Sequence, residues 1–247
     1  MQFIEKQAFR GIRALYGEDN FAKLQSAHVL VIGVGGIGSW CAESLCRSGV
    51  GHISLIDPDI IEITNLNRQL HTMPSTCGQY KAQVLANRLK QINPNLIIDT
   101  EETLLTEENI EEKLQDCPQY ICECIDDLKA KTKIVDFLYK NKKTFIVAGG
   151  AGGRLNPQAL SVGDIADSCG DALISKLRQE LRKNYGYPKG GKKMHITCTF
   201  STETPIYAPK NGYINGDLPA FGASMPVTAC AGLNLAAWIL DKIAKAS

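Results

Sequence analysis

Residues 30–40 read LVIGVGGIGSW. A short apolar, β-branched run ends at Ile32, and Gly33, Gly35 and Gly38 follow with the spacing G-x-G-x-x-G. A buried strand feeding such a loop and then a helix opens a nucleotide-binding βαβ unit. The glycines let backbone approach phosphate, and the helix N-terminus presents unpaired N–H groups. The spacing alone suits a nicotinamide or flavin dinucleotide, and a tight turn would use the same glycines. Two features depart from the redox pattern: the extra Gly36, and Ser39 directly after the last glycine.

Outward from this loop, strand and helix signals alternate. HISLID (52–57), NLIIDTEE (95–102), QYICECID (119–126) and KTFIVAGG (143–150) read as strands. The stretch 36–50, KAQVLANRLKQIN (81–93), TEENIEEKLQ (106–115, with Thr106 as N-cap) and LKAKTKIVDFLYKNK (128–142) read as helices. This order predicts an α/β, Rossmann-like, mostly parallel sheet with helices on both faces and ligands beyond the C-terminal strand ends. After Gly153 the pattern changes to a helix over 171–186, a basic loop KGGKK, and strands MHITCTFST (194–202) and TPIYAP (204–209). These strands are expected to extend the sheet in antiparallel fashion. The chain reads as a single domain over 1–247, with a nucleotide-binding core over 1–153 and an integrated extension over 154–247.

Composition narrows the function classes. The 247 residues carry 27 Lys plus Arg against 26 Asp plus Glu, so any nucleic-acid contact needs a local basic patch. Nine cysteines and an N-terminus without an apolar leader suggest reduced thiols and a cytoplasmic protein. Cys122 and Cys124 form only a C-x-C, so no zinc knuckle is expected. The apolar run near the C-terminus is broken by Thr228, Gly232 and Asn234. A bilayer crossing needs roughly 20 apolar residues. The run therefore reads as a buried or dimer-packing helix rather than a stable membrane span, with C-terminal membrane association the minor alternative.

The residues after the loop decide against hydride transfer. Asp57 closes the second strand, where a carboxylate can hold ribose hydroxyls. DPDIIEITNLNRQLH then places Asn65, Asn67, Arg68 and Gln69 in one polar cluster. Arg68 can bind phosphate bidentately, and Lys81 in CGQYKAQ adds a second cation. CIDD sets Asp126 and Asp127 at the end of the fourth strand, where a carboxylate can hold Mg2+. Each has a plain structural alternative: a solvated lysine, a surface arginine, a helix cap. Together they are equipment for ATP chemistry.

GVGGIGS, LIDPDIIEITNLNRQ, GQYKAQ, INPN and CIDD resemble the ubiquitin-activating-enzyme superfamily, including the bacterial adenylating enzymes of the molybdopterin and thiamine pathways. The resemblance implies adenylation of a carboxylate at the α-phosphate of ATP. It places Gly33, Gly35, Gly36 and Gly38 in the nucleotide loop and Asp57 on the ribose. It places Asn65, Arg68 and Lys81 on the phosphates and Asp126 on Mg2+. It also implies a homodimer in which Arg13 reaches the partner's ATP.

FRGIRALYG, GGAGGRLNP, DALISKLRQELRK and CTFSTE further resemble the tRNA threonylcarbamoyladenosine dehydratases. That resemblance implies a tRNA bearing threonylcarbamoyladenosine as substrate and ring closure with loss of AMP. It also brings in a monovalent cation, Na+ or K+, and a sulfur-transfer (cysteine desulfurase) system. An activator of a ubiquitin-like sulfur carrier remains the alternative, weakened by the absence of paired C-x-x-C. An NAD-dependent dehydrogenase is the remote one. Cys198 reads either as a functional thiol or as a buried strand cysteine. GGAGG (149–153) reads either as a turn or as a place where substrate meets backbone. Arg182, Lys183, Lys189, Lys192 and Lys193, interleaved with two tyrosines, read as a tRNA-contacting flap or as a solvated loop.

Overall fold

The computed structural model describes residues 5–207 and 221–246. Helices α1 (Glu5–Ala8), α2 (Arg10–Tyr16) and α3 (Glu18–Ser26) precede β1 (His28–Ile32). The chain continues through α4 (Gly38–Arg47), β2 (His52–Ile56), α5 (Lys81–Ile92), β3 (Ile97–Glu101) and α6 (Ile110–Leu114). Next come β4 (Tyr120–Glu123), α7 (Leu128–Lys140), β5 (Thr144–Val147) and β6 (Leu160–Asp164). The last elements are α8 (Ala172–Asn184), β7 (Thr197–Ser201) and α9 (Met225–Ala244).

One seven-stranded sheet runs in the order β3-β2-β1-β4-β5-β7-β6. All neighbours are parallel except β6 and β7. Segments on both sides of Gly153 therefore share one sheet. The strand order turns back between β1 and β4, and the loops after these two strands border a crevice at their C-terminal ends.

Period-two alternation explains the two core layers. Val29 and Val31 face one side with Leu45, Leu85, Leu235 and Ile239, from α4, α5 and α9. Leu30 and Ile32 face the other with Ile110, Ile134, Ile174 and Leu177, from α6, α7 and α8. Each fully buried side chain of this size contributes about 1.5–3 kcal/mol.

Three expectations change. The antiparallel partner of β7 is β6, a strand that local pattern does not announce. Its exposure alternates only weakly, because it is the sheet edge. Residues 204–207 of TPIYAP form no strand, and 208–209 lie outside the described residues. Helix α6 starts at Ile110 because the Asn109 side chain accepts from the Thr106 amide at 2.8 Å and closes a turn before it. Thr106 is thus in the turn and not the cap.

The last helix packs into the fold as expected, but it is longer than its apolar run suggests. It spans 20 residues with a mean hydropathy of 1.3 in its most apolar window, enough by length and composition to cross a membrane. More than half of that window, 56%, is buried inside the fold. Gly232 permits this packing, because a Cβ there would overlap the Ile37 carbonyl oxygen at the head of α4. Thr228 is buried beside Gly36.

Candidate active site

A cavity of about 1450 Å3 opens at the C-terminal ends of β1, β2, β4 and β5. Its walls include Gly33, Gly35, Gly36, Asp57, Asn65, Arg68, Lys81 and Asp126. These are eight of the residues singled out by sequence. Gly38 supports the loop from behind, since a Cβ there would overlap the Gly33 carbonyl oxygen. Gly33 itself has a φ of 82°. Gly36 is small for a different reason: a Cβ would stand 3.3 Å from both Arg68 Cγ and Thr228 Cγ2. The nearest atom to a Cβ on Gly35 would be 3.8 Å away, so its backbone fronts the cavity. Helix α4 begins there with no side-chain cap on its N-terminus.

Asp57 is buried, with Oδ2 accepting from the Val34 amide at 2.7 Å and Oδ1 from the Asp59 amide at 2.9 Å. Burial pushes its carboxyl upward, opposed by those two amides and the Lys81 charge. Lys81 is not a solvated lysine. It is 6% exposed, and its Nζ donates to Asp59 Oδ2 at 2.7 Å. Arg68 Nη1 donates to the Thr64 carbonyl at 3.0 Å and to Asn67 Oδ1 at 2.9 Å. Asn65 Oδ1 accepts from the Glu62 amide at 3.2 Å. Asn67 Nδ2 donates to the Ala223 carbonyl at 2.7 Å, tying this segment to the start of the last helix.

Asp126 and Asp127 separate in role. Asp127 caps α7, accepting from the Ala130 amide at 2.9 Å, and leaves Asp126 exposed on the cavity wall. Beneath them Glu123 and Lys131 form an ion pair with both side chains fully buried. Glu123 Oε1 accepts from the Ile125 amide at 3.0 Å, and Lys131 Nζ donates to the Ile125 carbonyl at 2.8 Å. The pair therefore fixes the loop that carries Asp126. Burial pushes the Glu123 carboxyl upward, and the neighbouring ammonium opposes it.

Apart from the GGAGG turn, the far half of the cavity belongs to residues to which sequence reasoning assigns no role. Asp171 caps α8, accepting from Ile174 N at 3.1 Å and from Gly150 N at 2.9 Å. Arg154 is 3% exposed and donates to the carbonyls of Gly170, at 2.7 Å, and of Ser201 and Glu203. Tyr207 and Phe221 meet edge to face at 6.0 Å and remain 62% and 46% exposed on the rim. The glycines of 149–153 follow from these neighbours. A side chain at Gly149 would overlap Asp171, and one at Gly152 would overlap the Phe221 ring. Gln69, part of the polar cluster but without an expected role, also lines the cavity; its Oε1 is buried without a hydrogen-bond partner. Its signal in the sequence is adjacency to Arg68.

The comparisons with known proteins fit this geometry. The family model described as the ThiF family matches residues 9–244. The chain belongs to the ThiF family. It is 36% identical over 246 residues to the tRNA threonylcarbamoyladenosine dehydratase of Haemophilus influenzae, covering 97% of this chain and 94% of that protein. The Escherichia coli enzyme of the same name is 35% identical, covering 96% and 94%. The crystal structure of the Escherichia coli enzyme, TcdA, in complex with ATP aligns with a TM-score of 0.89 at 34% identity, over 98% of this chain and 97% of that one.

Other expected residues lie outside this ThiF-family cavity. Arg13 pairs with Glu18 and stacks over the Phe21 ring at 5.3 Å. Arg182 donates to the Pro188 carbonyl at 2.9 Å, and Lys193 pairs with Asp167. Lys183, Lys189 and Lys192 are exposed. Tyr187 is buried with its hydroxyl 3.3 Å from Asp136, so it cannot stack on a base. Cys198 is fully buried in β7, and burial together with Asp171 and Asp164 pushes its thiol up to about 12. It is a packing residue in this fold.

Proposed function

We propose that this chain adenylates the threonyl carboxylate of threonylcarbamoyladenosine in tRNA with ATP, and that ring closure then expels AMP. The observation that carries the reading is the two-sided cavity. One side holds the glycine loop, Asp57, Arg68 and Lys81; the other holds Gly149–Gly152, Tyr207 and Phe221. Its volume exceeds the about 300–1,000 Å3 of a single small-molecule pocket. A nucleotide and an acyl acceptor fit side by side.

ATP fits the near side on four grounds: the uncapped head of α4, the carboxylate of Asp57 for ribose, the two cations, and the unpartnered oxygen of Gln69. A carboxylate oxygen bonds to the α-phosphorus as the bond to the β-phosphate oxygen breaks, releasing pyrophosphate. A nucleophile of the same modification then attacks the activated carbonyl, and AMP leaves with the oxygen. The net change is loss of one water. Arg68 and Lys81 neutralise the departing phosphates. Asp126 would hold Mg2+, which would supply charge neutralisation of the phosphates. Ring closure is proximity-driven and needs no protein nucleophile, in accord with the buried Cys198. The exposed rim aromatics Tyr207 and Phe221 suit a splayed-out adenosine. Arg13, outside its own cavity, suits a homodimer in which it serves the partner's site.

The test is nucleoside mass. Protein, ATP, Mg2+ and tRNA bearing threonylcarbamoyladenosine are incubated, and the digest is examined. Loss of one water from the modified nucleoside is expected; an unchanged nucleoside overturns the reading. ATP–pyrophosphate exchange stimulated by a Gly-Gly-ending protein, and not by tRNA, would move it to the sulfur-carrier alternative.

A further inference from the structure

We infer that His28, His52 and Asp99 form a binding site for a transition dication of the zinc class, at the opposite end of the strands from the nucleotide cavity. His28 and His52 are the first residues of β1 and β2 and sit opposite each other in register. Asp99 lies opposite Ser54, two residues along β2 and so on the same face. The imidazole rings stack with centroids 3.5 Å apart and planes 6° apart. His52 Nε2 is 2.6 Å from Asp99 Oδ2, and His28 Nε2 is 2.7 Å from Ser54 Oγ. One donor atom from each of His28, His52 and Asp99 lies within 4.8 Å of the others.

A tetrahedral ion with bonds of about 2.0–2.2 Å needs its donors a little over 3 Å apart. The two rings now lie parallel, so they would have to splay apart about their side-chain torsions for both nitrogens to face one ion. The donor set selects the metal. Two imidazoles and one carboxylate suit zinc, cobalt(II) and nickel(II), whereas magnesium and calcium take oxygen shells. Three protein ligands leave one position for water or for Ser54 Oγ. Asp99 is 64% exposed at its side chain and His52 26%, so the ion has a route in. Cysteine spacing predicts no zinc knuckle. Here strand pairing, rather than a local motif, assembles the ligands. The bound ion would tie the edge strand β3 to β2 and β1 and stabilise the folded state by mass action.

Metal-free protein is titrated with cobalt(II) and followed by proton NMR of its four histidines, by metal analysis after dialysis, and by thermal unfolding. Expected are about one equivalent retained, broadening of His28 and His52 with His71 and His195 unchanged, and a higher Tm. His52→Gln and Asp99→Asn should each weaken binding by at least about tenfold. Asp99→Asn alters an exposed group and keeps the test valid if His52→Gln folds poorly. No retained cobalt, or equal retention in Asp99→Asn with broadening elsewhere, overturns the proposal.

Discussion

The side-chain stem of Arg68 lies across Gly36, so closely that a Cβ at residue 36 would sit 3.3 Å from Arg68 Cγ. The extra glycine of the loop is thus the seat of the arginine. Gly36→Ala should displace the stem by tenths of an ångström and raise the KM for ATP by about tenfold, roughly 1.4 kcal/mol, with the fold kept. Gly38→Ala should instead fail to fold, because its obstacle is the Gly33 carbonyl. ATP kinetics and far-UV circular dichroism separate the two. Unchanged kinetics in Gly36→Ala would remove Arg68 from the phosphate site.

Arg68→Ala, Lys81→Ala and Asp126→Ala should each lower turnover by about a hundredfold or more while leaving stability nearly intact, measured by pyrophosphate release and nucleoside mass. Arg68→Lys should not restore activity, because an ammonium lacks the planar two-pronged donor. Asp126→Ala should also raise the Mg2+ concentration needed for half-maximal rate. Near-wild-type rates in any one of these would exclude that residue.

Lys131→Met leaves Glu123 buried and unpaired, and should cost about 3–5 kcal/mol in urea unfolding. The double variant Glu123→Leu/Lys131→Met should recover much of that stability. It should stay inactive, because Ile125 loses both of its side-chain partners and the loop bearing Asp126 loosens. An active double variant would show that the pair serves the fold alone.

His71 is 1% exposed, and neither ring nitrogen has a hydrogen-bond partner. Burial, and then the Lys81 charge, lower its pKa to about 4. The unfolded chain therefore takes up a proton near pH 6.5 that the folded chain refuses until about pH 4. The neutral ring's contribution is complete above pH 6.5 and is lost as pH falls toward 4, by up to about 3 kcal/mol. His71→Leu should flatten the stability profile in that window. An identical slope in the variant would count against a buried neutral imidazole.

Replacing Lys183, Lys189 and Lys192 should weaken tRNA binding and reduce the salt slope by about 0.7–0.9 for each phosphate no longer neutralised. Lys193 should matter less, since Asp167 already holds it. A salt slope that does not change with all three gone would leave the loop without a role in tRNA binding.

The half of the cavity proposed for the nucleotide is legible because its residues are local in sequence: Gly33 to Gly38, Asp57, then Asn65 to Lys81. Asp126 was readable because a strand end announces it. The half proposed for the acceptor is legible only in its GGAGG turn. Arg154, Asp171 and Phe221 reach the cavity only through the β5–β7 pairing and the antiparallel β6, and no local pattern links them. The Glu123–Lys131 pair was hidden for a related reason. A glutamate within an apolar strand and a lysine in the first turns of a helix look unrelated until the helix packs on the sheet. Lys81 resembles any surface lysine, and only tertiary packing makes it a buried one.

The pairing of Lys81 with Asp59 means that the nucleotide site carries an anion of its own. Asp59 Oδ2 lies 2.7 Å from Lys81 Nζ, while the Asp59 side chain stays 62% exposed. If Lys81 binds phosphate as proposed, nucleotide entry is an exchange of one anion for another. A phosphate chain can evict the carboxylate to water, whereas an uncharged nucleoside has nothing to offer in return. On the proposed reading, the site would discriminate against unphosphorylated nucleosides by competition from within the chain.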